Sequence, residues 1–94
     1  MNKYESVIIV NPNLDEAGVK ALEDKFTGLI NENGKVESID KMGKRKLAYD
    51  IKKQQEGIYE VINFESKPEA IAELERIYRI TDNILKFITI RKED

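Results

Sequence analysis

Apolar residues in this chain recur with two different periods, and their order predicts an α+β fold. Four stretches alternate every second residue, as strands half-buried on a sheet do. Two others repeat at steps of three and four, as one buried helix stripe does. The order is strand-helix-strand-strand-helix-strand. Two right-handed crossovers around a central hairpin give the ferredoxin-like split arrangement, a four-stranded antiparallel sheet with two helices on one face. Ninety-four residues suffice for one such domain, spanning 1–94, without staples.

Lys3 to Val10 supplies the first strand, with Tyr4, Ser6, Ile8 and Val10 on one side and Val7 and Ile9 on the other. Asn11-Pro12-Asn13 stops it, because proline cannot donate to a ladder. A helix follows from about Asp15 to Asn33, its stripe formed by Val19, Leu22, Phe26, Leu29 and Ile30. Asp15 or Asn13 caps its start, and Gly34 is expected to end it in a left-handed conformation. Gly18 and Gly28 each weaken its interior by about 1 kcal/mol, so packing must hold it.

Lys35 to Lys53 reads as a long second strand. Val36 and Ile39 break strict alternation and Met42-Gly43 interrupts it, which calls for bulges. Leu47, Tyr49 and Ile51 share one parity, placing Tyr49 with the framework. Gln54 to Gly57 is expected as the hairpin loop and Ile58 to Glu65 as the third strand. Ser66 with Glu69, and Pro68 between them, resemble a capping box opening a helix to about Ile80. Its buried stripe is Ile71, Leu74, Ile77 and Tyr78. After Thr81-Asp82-Asn83, Ile84 to Arg91 forms the last strand, and Arg91-Lys92-Glu93-Asp94 at its end reads as a short frayed tail.

With both helices on one side, the other sheet face should be polar, and it is not. If Tyr4, Ile8, Val10, Ile58, Ile62, Phe64, Leu85 and Phe87 face the helices, then Val7, Ile9, Tyr59, Val61, Ile88 and Ile90 lie together on a face that nothing covers. A contiguous apolar surface of that kind marks a partner. These six are the candidate partner-binding residues.

The net charge of -2 speaks against a polyanionic partner, but its distribution speaks for one. Residues 35–53 carry seven cations against three acids, while both flanks are net acidic. Local potential, not the total, steers a polyanion. The strongest cluster is Lys44-Arg45-Lys46, leading into the alternating Leu47–Ile51 segment.

Other chemistry is missing. With no histidine, the commonest general base and metal ligand is gone; with no cysteine, so are disulfides and thiolate metal sites. Nucleophile-elbow, phosphate-loop and dinucleotide-binding glycine patterns are absent, and the carboxylates are dispersed. We expect no enzyme, cofactor, metal or small-molecule substrate. Nor is there an apolar run of the roughly 18 residues that spans a bilayer. Base stacking on an open sheet, as in RNA recognition motifs, fits poorly: the third strand offers Tyr59 without the aromatic pattern of that motif, and Phe64 has the opposite parity.

Three stretches carry a resemblance: KYESVIIVNPNLDE, GKRKLAYDIKKQQEGIYEVINFE and LERIYRITDNILKFITIR. Over essentially its whole length the chain resembles bacterial small-subunit ribosomal protein six. That resemblance implies the ferredoxin-like fold. It also implies a cytoplasmic, ribosome-associated protein that binds the central domain of small-subunit ribosomal RNA as a heterodimer with ribosomal protein eighteen. Carried onto this sequence, it places Lys44, Arg45 and Lys46 in the cationic strand, Lys3 at the start of the first strand, Arg79 at the turn into the fourth and Arg91 at its end. With Lys86 and Lys92 added from the cations of the last strand and tail, these eight are the RNA-binding candidates. The competing reading is a regulatory or ligand-binding module that pairs with itself through the open face and leaves the cations idle.

Overall fold

The computed structural model describes residues 1–92. Strand β1 (Asn2–Val10) leads into helix α1 (Glu16–Asn33), and β2 (Gly34–Ile51) and β3 (Gln54–Ser66) form a long hairpin. A 3-10 turn at Pro68–Ala70 opens helix α2 (Ile71–Ile80), and β4 (Ile84–Arg91) closes the sheet. Strand order is β2-β3-β1-β4, antiparallel throughout. The fold is thus the predicted one, with the hairpin at one edge and the first and last strands side by side.

The parity of β1 sets the core. Tyr4, Ile8 and Val10 point toward the helices, joined from β3 by Ile62 and Phe64. Against them lie Phe26 and Ile30 of α1 and Leu74 and Tyr78 of α2, and the Phe26 and Tyr78 rings meet edge to face at 4.8 Å. Such a contact adds about 1 kcal/mol to the area buried. Asp15 caps α1 as expected, its Oδ1 accepting from the Gly18 amide at 2.8 Å.

Several local readings are corrected. Gly34 is extended, at φ -178°, and its glycine is required by contact: a Cβ there would stand 1.9 Å from the Glu65 carbonyl oxygen. Ser66 caps nothing; it is buried at the end of β3, and its hydroxyl donates to the Lys67 carbonyl. Arg91 belongs to β4, and Lys92 is held by its amide to the Lys3 carbonyl and by its ammonium to Asn63, so neither is a frayed tail. Glu93 and Asp94, which complete that expected tail, lie outside the described residues.

The bulges in β2 occur where alternation failed. Its register with β3 slips between Val36 and Ser38 and again between Lys41 and Gly43, where Gly43 takes φ +81°. A third slip, between Lys46 and Ile51, was not anticipated. The turn is also displaced from the expected Gln54–Gly57: Lys52 and Lys53 make it, at φ 48° and 66°. Positive φ at both central residues is the sense that matches strand twist, but lysine is strained there. Lys53→Gly should therefore raise stability by about 0.5–1 kcal/mol, seen as a melting midpoint several degrees higher.

Candidate functional site

Cross-strand register assigns every strand side chain to a face. Val7 stands between Val61 and Ile88, and Ile9 between Tyr59 and Lys86, so these residues share the face turned away from the helices. Glu5 and Ile90 continue the same rows. The structure therefore brings the six predicted apolar residues onto one face. Their exposure is unequal. Ile88 and Ile90 are 52% and 49% exposed, Val7, Val61 and Tyr59 are half-buried, and Ile9 is only 7% exposed.

This chain's own hairpin covers Ile9. Leu47 packs on Ile9 and Leu85, with Ile51 and Tyr59 around them, in a second small core on the far face. Gly57 makes room for it, since a Cβ there would fall 2.3 Å from Ile9 Cγ2. The third slip in β2 releases four residues, Leu47 to Asp50, opposite Gln55, and so gives the tip slack to fold over the sheet end. The far face is thus not wholly uncovered, and Leu85 belongs to it rather than to the helix side. The open remainder is Val7, Val61, Ile88 and Ile90.

Tyr49 is 63% exposed and not part of the core. Alternation was right, but the face it shares with Leu47 and Ile51 is the far one. Its hydroxyl accepts from Lys86 Nζ at 3.1 Å, and that ammonium lies 5.7 Å from the ring centroid. Lys52 Nζ reaches the Ile84 carbonyl at 3.1 Å. The hairpin tip therefore touches β4 across the end of β1.

The cationic segment divides between faces. Arg45 stands opposite Gly57 and so on the far face, whereas Lys44 and Lys46 stand opposite Ile58 and Glu56 on the helix side. All three are exposed. The ion pairs among the described residues are Lys20–Asp24, Lys41–Glu23 and Arg76–Glu73, none of which uses them. Their charge is free to act outward.

The eight candidate cations do not form one patch. Lys3, Arg91 and Lys92 gather where β1 begins and β4 ends. Lys44, Arg45, Lys46 and Lys86 lie toward the opposite end, six residues or about 20 Å along β1. Arg79, in the last turn of α2, has its guanidinium 5.8 Å from the Phe87 ring centroid. With Lys52 and Lys86 it lines a notch of about 300 Å³ that has no acidic wall. Lys52 escaped the sequence reading because its place depends on the strained turn; the anticipated loop lay beyond it.

Glu60 was also missed, although its parity with Ile62 and Phe64 is visible. It is 2% exposed beneath α1, facing Glu23, and burial followed by contact with Glu23 pushes its carboxyl up to about 8. Among the described residues no three carboxylates gather as metal ligands, and no helix is long and apolar enough to cross a membrane.

Fold and face together define a ferredoxin-like sandwich with one helix-packed side and one open side of mixed apolar and cationic character. A match to the family described as "Ribosomal protein S6" spans residues 3–91. The chain belongs to the ribosomal protein S6 family. It is 50% identical over 94 residues to small ribosomal subunit protein bS6 of Clostridium perfringens, covering 99% of each. The same protein of Clostridium botulinum is 49% identical, with 99% of this chain and 100% of the relative covered. The crystal structure of 30S ribosomal protein S6 from Thermotoga maritima superposes with a TM-score of 0.90 at 39% identity, covering 97% of this chain and 87% of that one. These relatives carry the name of a ribosomal component, and the family is not one of enzymes.

Proposed function

We propose that this protein is a cytoplasmic structural component of the small ribosomal subunit that binds small-subunit ribosomal RNA jointly with ribosomal protein eighteen. The observation that carries the reading is the open face itself: Val61, Val7 and Ile88 in one cross-strand row, with Ile90 beside them, and at both ends of the sheet cations that form no ion pair with a described residue. An apolar centre with a charged rim is the anatomy of a protein interface. Cations without acidic partners supply salt-dependent attraction to phosphate. With a net charge of only -2 in total, RNA affinity should be weak until a more basic partner joins.

The test is sedimentation with small subunits together with capture of ribosomal protein eighteen. We expect the endogenous protein to travel with the subunit. The double variant Val61→Asp, Ile88→Asp should lose capture by on the order of a hundredfold while remaining folded, because charges at the centre of an interface are left unpaired. Self-association by the wild type, without capture of the second protein, would instead favour the regulatory module.

A further inference from the structure

Beneath the cationic hairpin lies a buried carboxyl pair with no part in the interface described above. Glu60 comes from β3 and Glu23 from α1, where it sits on the same stripe as Phe26 and Ile30. Oε1 of Glu60 and Oε2 of Glu23 are buried without a hydrogen-bond partner. Two ionised carboxylates in that setting repel, and each leaves a desolvated acceptor unsatisfied. A proton held between them removes both costs.

Charged neighbours do not supply an alternative. Lys41 of β2 lies 3.6 Å from Glu23 Oε1, but its side chain is largely exposed. Lys20 of α1 is drawn to Asp24, at 3.6 Å. Asp15 is occupied in capping α1. In the register Glu60 faces Ile8 of β1 and Lys41 of β2, and Phe87 of β4 follows in that row. Beside the pair, a groove of about 560 Å³ runs between α1 and the hairpin. Its walls include Leu14, Val19 and Ile58, with Glu16 and Lys44 also along it.

We infer that Glu60 holds a proton against Glu23 that fastens α1 to the β2–β3 hairpin, and that losing this proton opens the groove and shifts Lys44. The carboxyl of Glu60 is raised by burial first, then by the hydrogen bond and charge of Glu23, with Lys41 opposing. Its folded pKa lies above its ordinary value of 4.5, so the folded state holds the proton more tightly than the unfolded one. This group's stabilisation is complete at low pH, falls as pH rises from 4.5 toward about 8, and then levels off. The folding constant loses up to about tenfold per pH unit across that window.

The experiment is a carboxyl-carbon NMR titration of the whole chain, paired with unfolding of Glu60→Gln. Glu60 should titrate near 8. Glu60→Gln, which mimics the protonated acid, should match wild type at about pH 4 and exceed its folding constant at least about a hundredfold at about pH 9. Glu23→Gln should lower the Glu60 midpoint and Lys41→Gln should raise it. Protection of the Gly43 and Ile58 amides should drop between about pH 7 and about pH 9 in wild type and not in Glu60→Gln. A Glu60 midpoint in the ordinary carboxylate range overturns the inference even if Glu60→Gln does not fold, as does an unchanged midpoint in Glu23→Gln or unchanged amide protection. The effect on RNA rests on the ribosomal reading: weaker binding at high pH in wild type but not in Glu60→Gln supports both. RNA binding absent at every pH, with the titration as described, would remove the ribosomal reading and leave the carboxyl pair standing.

Discussion

Reversing Arg45 and Lys46 to glutamate is expected to weaken small-subunit RNA binding by on the order of a hundredfold at moderate salt, with the fold intact. Both side chains are exposed, and neither forms an ion pair with a described residue. Their loss therefore strands no buried charge, and the melting midpoint should move by no more than about 2 °C. If both meet phosphate, the slope of log affinity against log salt should become shallower by about two. The single variants carry further information. Arg45 lies on the far face with the apolar row and Lys46 on the helix side, so one RNA surface cannot engage them equally. Unequal single losses are expected, and the larger names the face that meets RNA. Affinity and salt slope unchanged in the double variant would leave the cationic strand without a role.

How far the sequence foretold this arrangement depends on the range of the force involved. Element order, the Asp15 cap that opens α1, and the parity of β1 and β3 follow from local sequence, and each appears in the structure. The bulges in β2 were legible too, because Val36, Ile39 and Gly43 break alternation on the chain itself. What failed was long-range. Leu47, Tyr49 and Ile51 share one parity as read, but only tertiary contact decides which face that parity meets. The deciding contacts are with Ile9 and Leu85, tens of residues away. Leu85 was misassigned because the β1–β4 register shifts between Ile9 and Val10, pairing Val10 with Ile84 and Ile9 with Lys86. The open face was likewise half legible. Alternation collected its six residues, but could not tell that a neighbouring hairpin would cover Ile9.

That covering has a physical use. A long two-stranded hairpin at a sheet edge is marginal by itself. Folding its tip onto Ile9 and Leu85 ties the cationic segment to the middle of the sheet. The Tyr49–Lys86 and Lys52–Ile84 contacts add two polar ties to the far strand. In the proposed function, ordering the segment before RNA arrives would lower the entropy lost on binding, with the small core itself not touching the RNA.

The hairpin's other end supplies the largest expected loss of stability from a single methyl group. Gly34→Ala should cost about 3 kcal/mol, at the upper end of what overpacking exacts. The added Cβ would stand 1.9 Å from the Glu65 carbonyl oxygen and 2.7 Å from Ser66 Cα, both backbone atoms. A side chain could rotate away; these cannot move without breaking the Gly34–Ser66 pairing that starts the β2–β3 ladder. Backbone conformation is not the obstacle, since φ is -178°, a value open to any residue. Gly28→Ala is the control: it lies in α1 with nothing within 4 Å of the added Cβ, and should gain about 1 kcal/mol from helix propensity. Chemical denaturation of the two variants separates the accounts. Opposite signs would show that contact, not chain flexibility, requires glycine at position 34, whereas a Gly34→Ala chain as stable as the parent would mean that the first ladder pair is looser than its geometry indicates.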